Sequence, residues 1–513
     1  MVVSRNMTNL KKILLDSFEK NSDKRCIVYG DVTLTYKEVL NRLLKIERDI
    51  KCEGTSVFII FMDRKIETVL SVISSIFLNK VFCAIDTNLP RQSILEIVIE
   101  TGSNVIFTNK ENYIKLPLNI NNFCSVYILE NCNICQCNEK VSGSLNIDCL
   151  MNISDLSHIV YTSGSTNRPK GVLASKRSLE QFINWEYELL NLQYENINVI
   201  QISNPWFDPY ARDIFLPLFF GGTICIPNKR EMFDSKSFFE FVKRNEINII
   251  HIVPTIFRHI FLNQEYYDEN GIKYILLAGE MLFGDDIKKY NKRYKKSCIY
   301  NLYGPTETTM SKFYHKVNCD DENLEHICVG NPFPNTYCKI IDENGKELPI
   351  ENEGEIVIYT KYASLGYLNR KNENKTRFKF LDNDYVEYKT SDMGVIHTNG
   401  ELEVVGRKDN MKKIYGQKVH SEEIEAVVLE CKNVKNCAAY IENNKVKVLV
   451  VTDKNFELNE LISKLKENLQ LYKIPEKIIV VKNIPINKNG KIDRKHLCDL
   501  NASNLIKTYD IHL

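Results

Sequence analysis

Tyr161-Thr-Ser-Gly-Ser-Thr-Asn-Arg-Pro-Lys-Gly-Val172 is the stretch that decides how this chain is read. A short apolar approach, His158-Ile-Val160, runs into small and hydroxylated residues and then into Pro169, Lys170 and Gly171. Such a loop can aim backbone N–H groups and the hydroxyls of Thr162, Ser163, Ser165 and Thr166 at a polyanion, with Lys170 as a mobile positive charge. The P-loop pattern G-x-x-x-x-G-K-[ST] does not fit, because Pro169 stands where its second Gly belongs and Gly171 follows the lysine. Taken alone, the stretch also reads as a Ser/Thr-rich surface turn. The motifs on either side of it separate the two readings.

At 513 residues the chain exceeds a single ordinary core, which predicts two or three domains. Its 44% hydrophobic and 26% charged residues are those of an ordinary globular protein. A net charge of +1 gives no reason to expect a nucleic-acid or anionic-membrane partner. The start, 1–21, spaces Leu10, Ile13, Leu14 and Phe18 for an amphipathic surface helix and lacks the unbroken apolar run of a secretion signal. Val69 to Phe77 is apolar but too short to span a bilayer. A cytoplasmic monomer is therefore expected. Sixteen cysteines without a secretion signal argue for reduced thiols. Cys132-Asn-Ile-Cys135, within a cluster running from Cys124 through Cys137 to Cys149, has a metal-like spacing. No second pair follows it, so the cluster reads as a polar loop.

Upstream of the opening stretch, strands alternate with helices. Strands are predicted at 26–29, 34–36, 57–62, 82–86 and 105–108, and helices at 37–50, 67–78 and 93–101, as in a layered α/β domain. Residues 109–157 read as irregular. Downstream come a helix at 178–190 and short apolar runs at 199–202, 223–227, 247–253, 274–278 and 297–302. Each ends in a loop where ligands gather at the carboxyl edge of a parallel sheet. The last run delivers Tyr303-Gly-Pro-Thr-Glu-Thr-Thr309, whose Gly304 and Pro305 force a turn. Further on stand Gly354-Glu-Ile, Leu365-Gly-Tyr-Leu-Asn369, Tyr388-Lys-Thr-Ser-Asp392, Gly406-Arg-Lys-Asp-Asn-Met-Lys-Lys-Ile-Tyr-Gly416, Glu422-Glu-Ile-Glu425 and Asn487-Lys-Asn-Gly-Lys-Ile-Asp-Arg494.

In this order the motifs resemble those of the adenylate-forming superfamily: acyl-CoA synthetases, luciferases and the adenylation domains of nonribosomal peptide synthetases. Asn167 replaces a usual Gly, Leu365 a usual Arg and Ser391 a usual Gly. The resemblance implies a large multi-sheet α/β N-terminal domain, 1–408, and a small mobile α+β lid, 409–513, hinged at Asp409. It implies ATP and Mg²⁺, with Glu307 holding the metal. Thr162, Ser163, Gly164, Ser165, Thr166 and Lys170 would hold phosphates. Tyr303 would stack on adenine and Asn301 contact its edge, Asp392 would accept both ribose hydroxyls, and Gly304, Thr306, Arg407 and Lys491 would also contact the nucleotide. Lys491 would be the catalytic lysine, joined by Thr162, Glu307 and Lys413. A carboxylate is already ionised at neutral pH and needs no general base to attack the α-phosphorus. What the site must do is cancel charge between two anions.

The segment Trp206-Phe-Asp-Pro-Tyr210 resembles the corresponding block of amino-acid adenylation domains. By that likeness Asp208 pairs with a substrate ammonium, since a lone buried carboxylate would be costly. The read alternative is a loop or capping residue. The side-chain pocket would be Pro209, Arg212, His251, Leu276, Ala278, Leu302, Met310 and Ser311. Arg212 and His251 leave small polar and acidic substrates both open, with Arg212 alternatively pairing with Asp213. No carrier-attachment motif follows Arg494, which resembles freestanding enzymes such as D-alanine–carrier protein ligases. Ala278, where those place Cys, counts against D-alanine itself. The implied reaction is adenylation of an amino acid with release of pyrophosphate, then transfer to the phosphopantetheine thiol of a separate carrier protein. The alternative is an acyl- or aryl-CoA ligase.

Overall fold

The computed structural model describes residues 9–50, 56–130, 133–138, 155–162, 169–262, 271–294, 296–408, 412–414, 417–419, 421–442, 445–469, 473–487, 491–498 and 504–511. Continuous apolar runs form the parallel strands, as expected where both faces are covered. Val57–Phe61 is buried at every position. It lies in a seven-stranded sheet ordered Asn133–Asn138, Ser125–Glu130, Val105–Thr108, Val57–Phe61, Val81–Ala84, Leu156–Thr162 and Lys170–Ser175. A nine-stranded sheet has the parallel strands Cys298–Tyr303, Tyr274–Ala278, Ile249–Ile252, Asn198–Ile200, Thr223–Ile226 and Arg25–Tyr29 at its centre.

Helices Ile66–Phe77, Lys176–Leu189 and Asp208–Phe220 share one core with residues from both sheets. Ile66–Phe77 is buried at every position but Glu67, as a helix in an interior layer must be. Alternation divides the strands: Phe58 and Ile60 join the shared core, and Val57, Ile59 and Phe61 join the outer one. Beyond these layers a five-stranded sheet contains Thr336–Ile341, Gly354–Thr360, Val386–Ile396, Phe378–Phe380 and Leu402–Arg407. A smaller four-stranded sheet of Val434–Glu442, Lys445–Thr452, Lys477–Val481 and Leu505–Asp510 packs on helices Ser421–Leu429 and Leu458–Asn468. Among the described residues no helix is long and apolar enough to cross a membrane.

Several sequence readings need correction. The stretch 109–157 is not irregular throughout. Ser125–Glu130 pairs in parallel with Val105–Thr108, and Asn133–Asn138 folds back on it. A strand, Lys170–Ser175, intervenes before the helix at 176, and Ser175 caps that helix by accepting from the Ser178 N–H. The segment from Asp208 is a helix, Asp208–Phe220, with Pro209 in its first turn, where a missing N–H costs nothing. The described cysteines include buried free thiols at Cys26, Cys83 and Cys124.

In the smaller domain Arg494 forks onto Glu425, with Nη1 donating to Oε1 at 2.8 Å and Nη2 to Oε2 at 2.9 Å, and it lies 3.4 Å from Glu422. Both carboxylates are buried. Arg494→Met strands them and should lower stability by about 3–5 kcal/mol, whereas Arg494→Met with Glu425→Leu should recover much of the loss. Urea unfolding of both variants checks this; a double variant no better than the single one contradicts it.

Candidate active site

The carboxyl ends of the parallel strands in the nine-stranded sheet carry most of the candidate residues. His251 pairs with Leu276 in register, Leu276 with Tyr300, and Ala278 with Leu302. Leu276, Tyr300 and Leu302 belong to the core shared with the central helices, which defines one face of the sheet. His251 lies on that face and meets Glu186 from helix Lys176–Leu189 and Asp213 from helix Asp208–Phe220. Its Nε2 is 2.7 Å from Glu186 Oε1 and its Nδ1 is 3.1 Å from Asp213 Oδ1. Arg212 Nε donates to the same Asp213 oxygen at 3.2 Å. All four side chains are buried. Burial, the largest influence, and Arg212 push the His251 pKa down, but the Glu186 and Asp213 carboxylates outweigh them and it stands raised. Arg212 and His251 are thus both partnered by buried carboxylates.

Asp208 opens the helix that supplies Arg212 and Asp213. Its pKa is raised, first by desolvation and also by Glu307, against the lowering effects of Lys491, a hydrogen bond from Thr306 and the Arg212 charge. Asp208, Thr306, Glu307 and Lys491 thus share one site. Pro209, Met310 and Ser311 border it along the same chain segments.

Lys491 reaches this site from the small domain. A Cβ built on Gly279 would lie 2.5 Å from Lys491 Nζ and 2.8 Å from its Cε. Gly279 also has a left-handed φ of +89°, the backbone conformation that favours glycine there. The next residue secures the loop: Glu280 Oε1 accepts from the Ile492 N–H at 3.2 Å, and Oε2 accepts from the Thr255 N–H at 2.9 Å.

The nucleotide candidates lie at the end of strand Cys298–Tyr303. Tyr303 donates to Asp392 Oδ2 at 2.7 Å, and Arg407 Nε stands 3.6 Å from Asp392 Oδ1. Desolvation, foremost, raises the Asp392 pKa. Tyr367 donates to Glu307 Oε1 at 2.7 Å and so orients that carboxylate. Glu307, an oxygen donor held at the mouth of the site, suits a hard cation such as Mg²⁺. Asn301 points to the other side, where its Nδ2 donates to the carbonyls of Ile327 and Cys328 at 3.0 and 3.1 Å. Thr162 and Lys170 face each other across the two strands that flank the phosphate loop, and Lys170 is ion-paired with Glu373. Ser163, Gly164, Ser165 and Thr166, the side chain of Lys413, and Asp409 and Gly416 lie outside the described residues, as do Cys132 and Cys149 and the side chains of Cys135 and Cys137.

With this geometry in place, residues 14–368 match the model of the AMP-binding enzyme family, and 423–491 that of the AMP-binding enzyme C-terminal domain. The chain belongs to the AMP-binding enzyme family. Over 515 residues it is 27% identical to zwittermicin A synthase ZmaJ of Bacillus cereus, covering 96% of this chain and 95% of that protein. It is also 27% identical over 511 residues to bacitracin synthase 1 of Bacillus licheniformis, covering 95% of this chain but 9% of that protein's length. O-succinylbenzoate coenzyme A synthetase from Bacillus subtilis, solved in complex with ATP and magnesium ion, shares the fold with a TM-score of 0.76 at 20% identity, covering 95% of this chain and 99% of that one. This AMP-binding enzyme is an adenylate-forming ligase.

Two features of this family member were not picked out from sequence. Glu280 docks the lysine loop, and its only signal was an acidic residue after an Ala-Gly strand end. Lys312 is the other. It is fully buried, and its Nζ donates to the carbonyls of Thr309 at 2.8 Å and Ser311 at 3.2 Å. Those carbonyls flank Met310, and Thr309 and Met310 hold left-handed φ values of 58° and 62°. A Cβ on Gly304 would meet the Met310 oxygen at 2.5 Å, so the nucleotide turn and the pocket wall are in tight contact. Burial pushes the Lys312 pKa down to about 7, with Asp208 acting in the opposite direction.

The native chain therefore binds fewer protons than the unfolded chain between pH 7 and the ordinary lysine value of 10.5, and its stability gains with rising pH there. Wild-type stability relative to Lys312→Met should be flat below pH 7 and rise from pH 7 to 10. Urea unfolding across this range tests it; a constant difference contradicts the buried titration.

Proposed function

We propose that the chain adenylates an amino acid with a small, uncharged polar side chain and passes it to the phosphopantetheine thiol of a separate carrier protein. The observation that carries this reading is Asp208. It is a desolvated carboxylate at the first turn of the pocket helix, in the field of Lys491, and it is suited to a substrate ammonium. Arg212 and His251 are compensated by Asp213 and Glu186, so the pocket keeps little charge to recruit an acidic side chain. The likeness to ZmaJ over nearly the whole of both chains supports the amino-acid side of this reading.

ATP is the co-substrate in this proposal. Lys491 draws the substrate carboxylate and the α-phosphate together and offsets their repulsion, and Tyr303, Asp392 and Arg407 orient the nucleoside. Mg²⁺ on Glu307, when bound, supplies charge neutralisation to the phosphates. The small domain, taken as 409–513, then turns about Asp409, withdrawing Lys491 and admitting the thiol.

The test has two arms. In the first, amino-acid-dependent pyrophosphate exchange is run across all side-chain classes; small uncharged polar acids should be fastest, and aspartate or glutamate at the top would contradict the pocket reading. In the second, the adenylate formed is offered free CoA or holo-carrier proteins. Loading of a carrier is expected, and efficient discharge onto CoA alone would replace this reading with the CoA ligase. Asp208→Ala should weaken the amino acid by about 3–5 kcal/mol and its deaminated analogue far less. Equal losses would reject the ammonium pairing.

A further inference from the structure

Away from the adenylate site, metal-ligating side chains gather where the five-stranded sheet meets the edge of the nine-stranded one. Cys328 lies in the segment leading to strand Asn331–Pro332, His397 just past strand Val386–Ile396, and Glu403 on strand Leu402–Arg407. One ligand atom from each of the three lies within 4.8 Å of the others. We propose that Cys328, His397 and Glu403 form a Zn²⁺ site that clamps these two sheets together, a role distinct from that of the Mg²⁺ carboxylate Glu307.

Three observations carry it. First, the donor set is one thiol, one imidazole and one carboxylate, which selects Zn²⁺ over the hard cations and leaves a fourth tetrahedral position for water. Second, the groups that would orient the ligands are already in place. His397 presents Nε2 to Glu403 at 2.7 Å, while its Nδ1 lies 3.1 Å from Glu351 Oε2. A carboxylate on the far nitrogen of a ligating histidine is the arrangement that sets its tautomer and ring angle. Glu351 is itself fixed by the Thr398 N–H at 2.7 Å, and Glu403 Oε1 takes His326 Nδ1 at 3.3 Å. Third, the backbone that carries the ligands is cross-linked. Val329 N–H donates to the Leu402 carbonyl at 2.8 Å, His397 N–H to the Glu401 carbonyl at 3.0 Å, and Asn301 Nδ2 to the Cys328 carbonyl at 3.1 Å.

On binding, the Cys328 thiol releases its proton to solvent and ligates as thiolate, and the metal inserts into the His397–Glu403 hydrogen bond. The clamp would join the strand end bearing Asn301 to the strands bearing Asp392 and Arg407.

The full chain, stripped with EDTA, is titrated with Co²⁺ and then Zn²⁺. One equivalent of Co²⁺ should give a thiolate-to-cobalt charge-transfer band and tetrahedral visible absorption, and Zn²⁺ should abolish both and raise the Tm. Cys328→Ser should remove the charge-transfer band. His397→Gln, Glu403→Gln and Glu351→Gln should each weaken Zn²⁺ binding about tenfold or more. On the wild-type chain, where no variant need fold, one equivalent of Zn²⁺ should protect Cys328 from alkylation, read by peptide mass. Absence of the band, its persistence in Cys328→Ser, or alkylation of Cys328 unchanged by Zn²⁺ would overturn the proposal and leave His397 and Glu403 as an ion pair alone.

Discussion

The docking of Lys491 against Gly279 is the interaction on which the site depends. A carboxylate and a triphosphate repel, so a reaction between them needs a cation held where they meet. In the proposed reaction that cation is Lys491, which stands on the smaller C-terminal sheet domain. The ammonium lies where a side chain on residue 279 would begin, and Glu280 ties Ile492 to the backbone of Thr255. The Arg494 fork on Glu425 anchors the same loop from the lid side. In the proposed two-step reaction the lysine, arriving on a separate domain, would withdraw before the second step.

Around that lysine the protein arranges carboxylates by environment. Asp208 and Asp392 are desolvated, with raised pKa values, and Glu307 is tethered by a tyrosine hydroxyl. Glu186, Asp213, Arg212 and His251 pair with one another, which in the proposed reading leaves Asp208 as the charge that meets the substrate. Through His251 the buried quartet ties helix Lys176–Leu189 to the helix that carries Asp208.

Much of this was legible in the sequence. Apolar runs marked the parallel strands because those strands are buried on both faces, and Tyr274–Ala278 appears with the boundaries read from the pattern. The helix at Asp208 was missed because Pro209 and Pro217 argue against helix on local grounds, although the first turn tolerates proline. Strands Ser125–Glu130 and Asn133–Asn138 were missed because their Asn- and Cys-rich surroundings hid a short buried run. Glu186 and Lys312 carry no motif that marks them in the sequence. Their partners lie far along the chain or depend on an unusual turn, and neither leaves a periodic signal.

The most direct measurement is acid-dependent ATP–pyrophosphate exchange by the wild-type chain and Lys491→Ala, with ATP binding followed separately. The account predicts exchange by the wild type, its loss in Lys491→Ala, and ATP affinity nearly unchanged between them. Exchange at the wild-type rate by Lys491→Ala would contradict it.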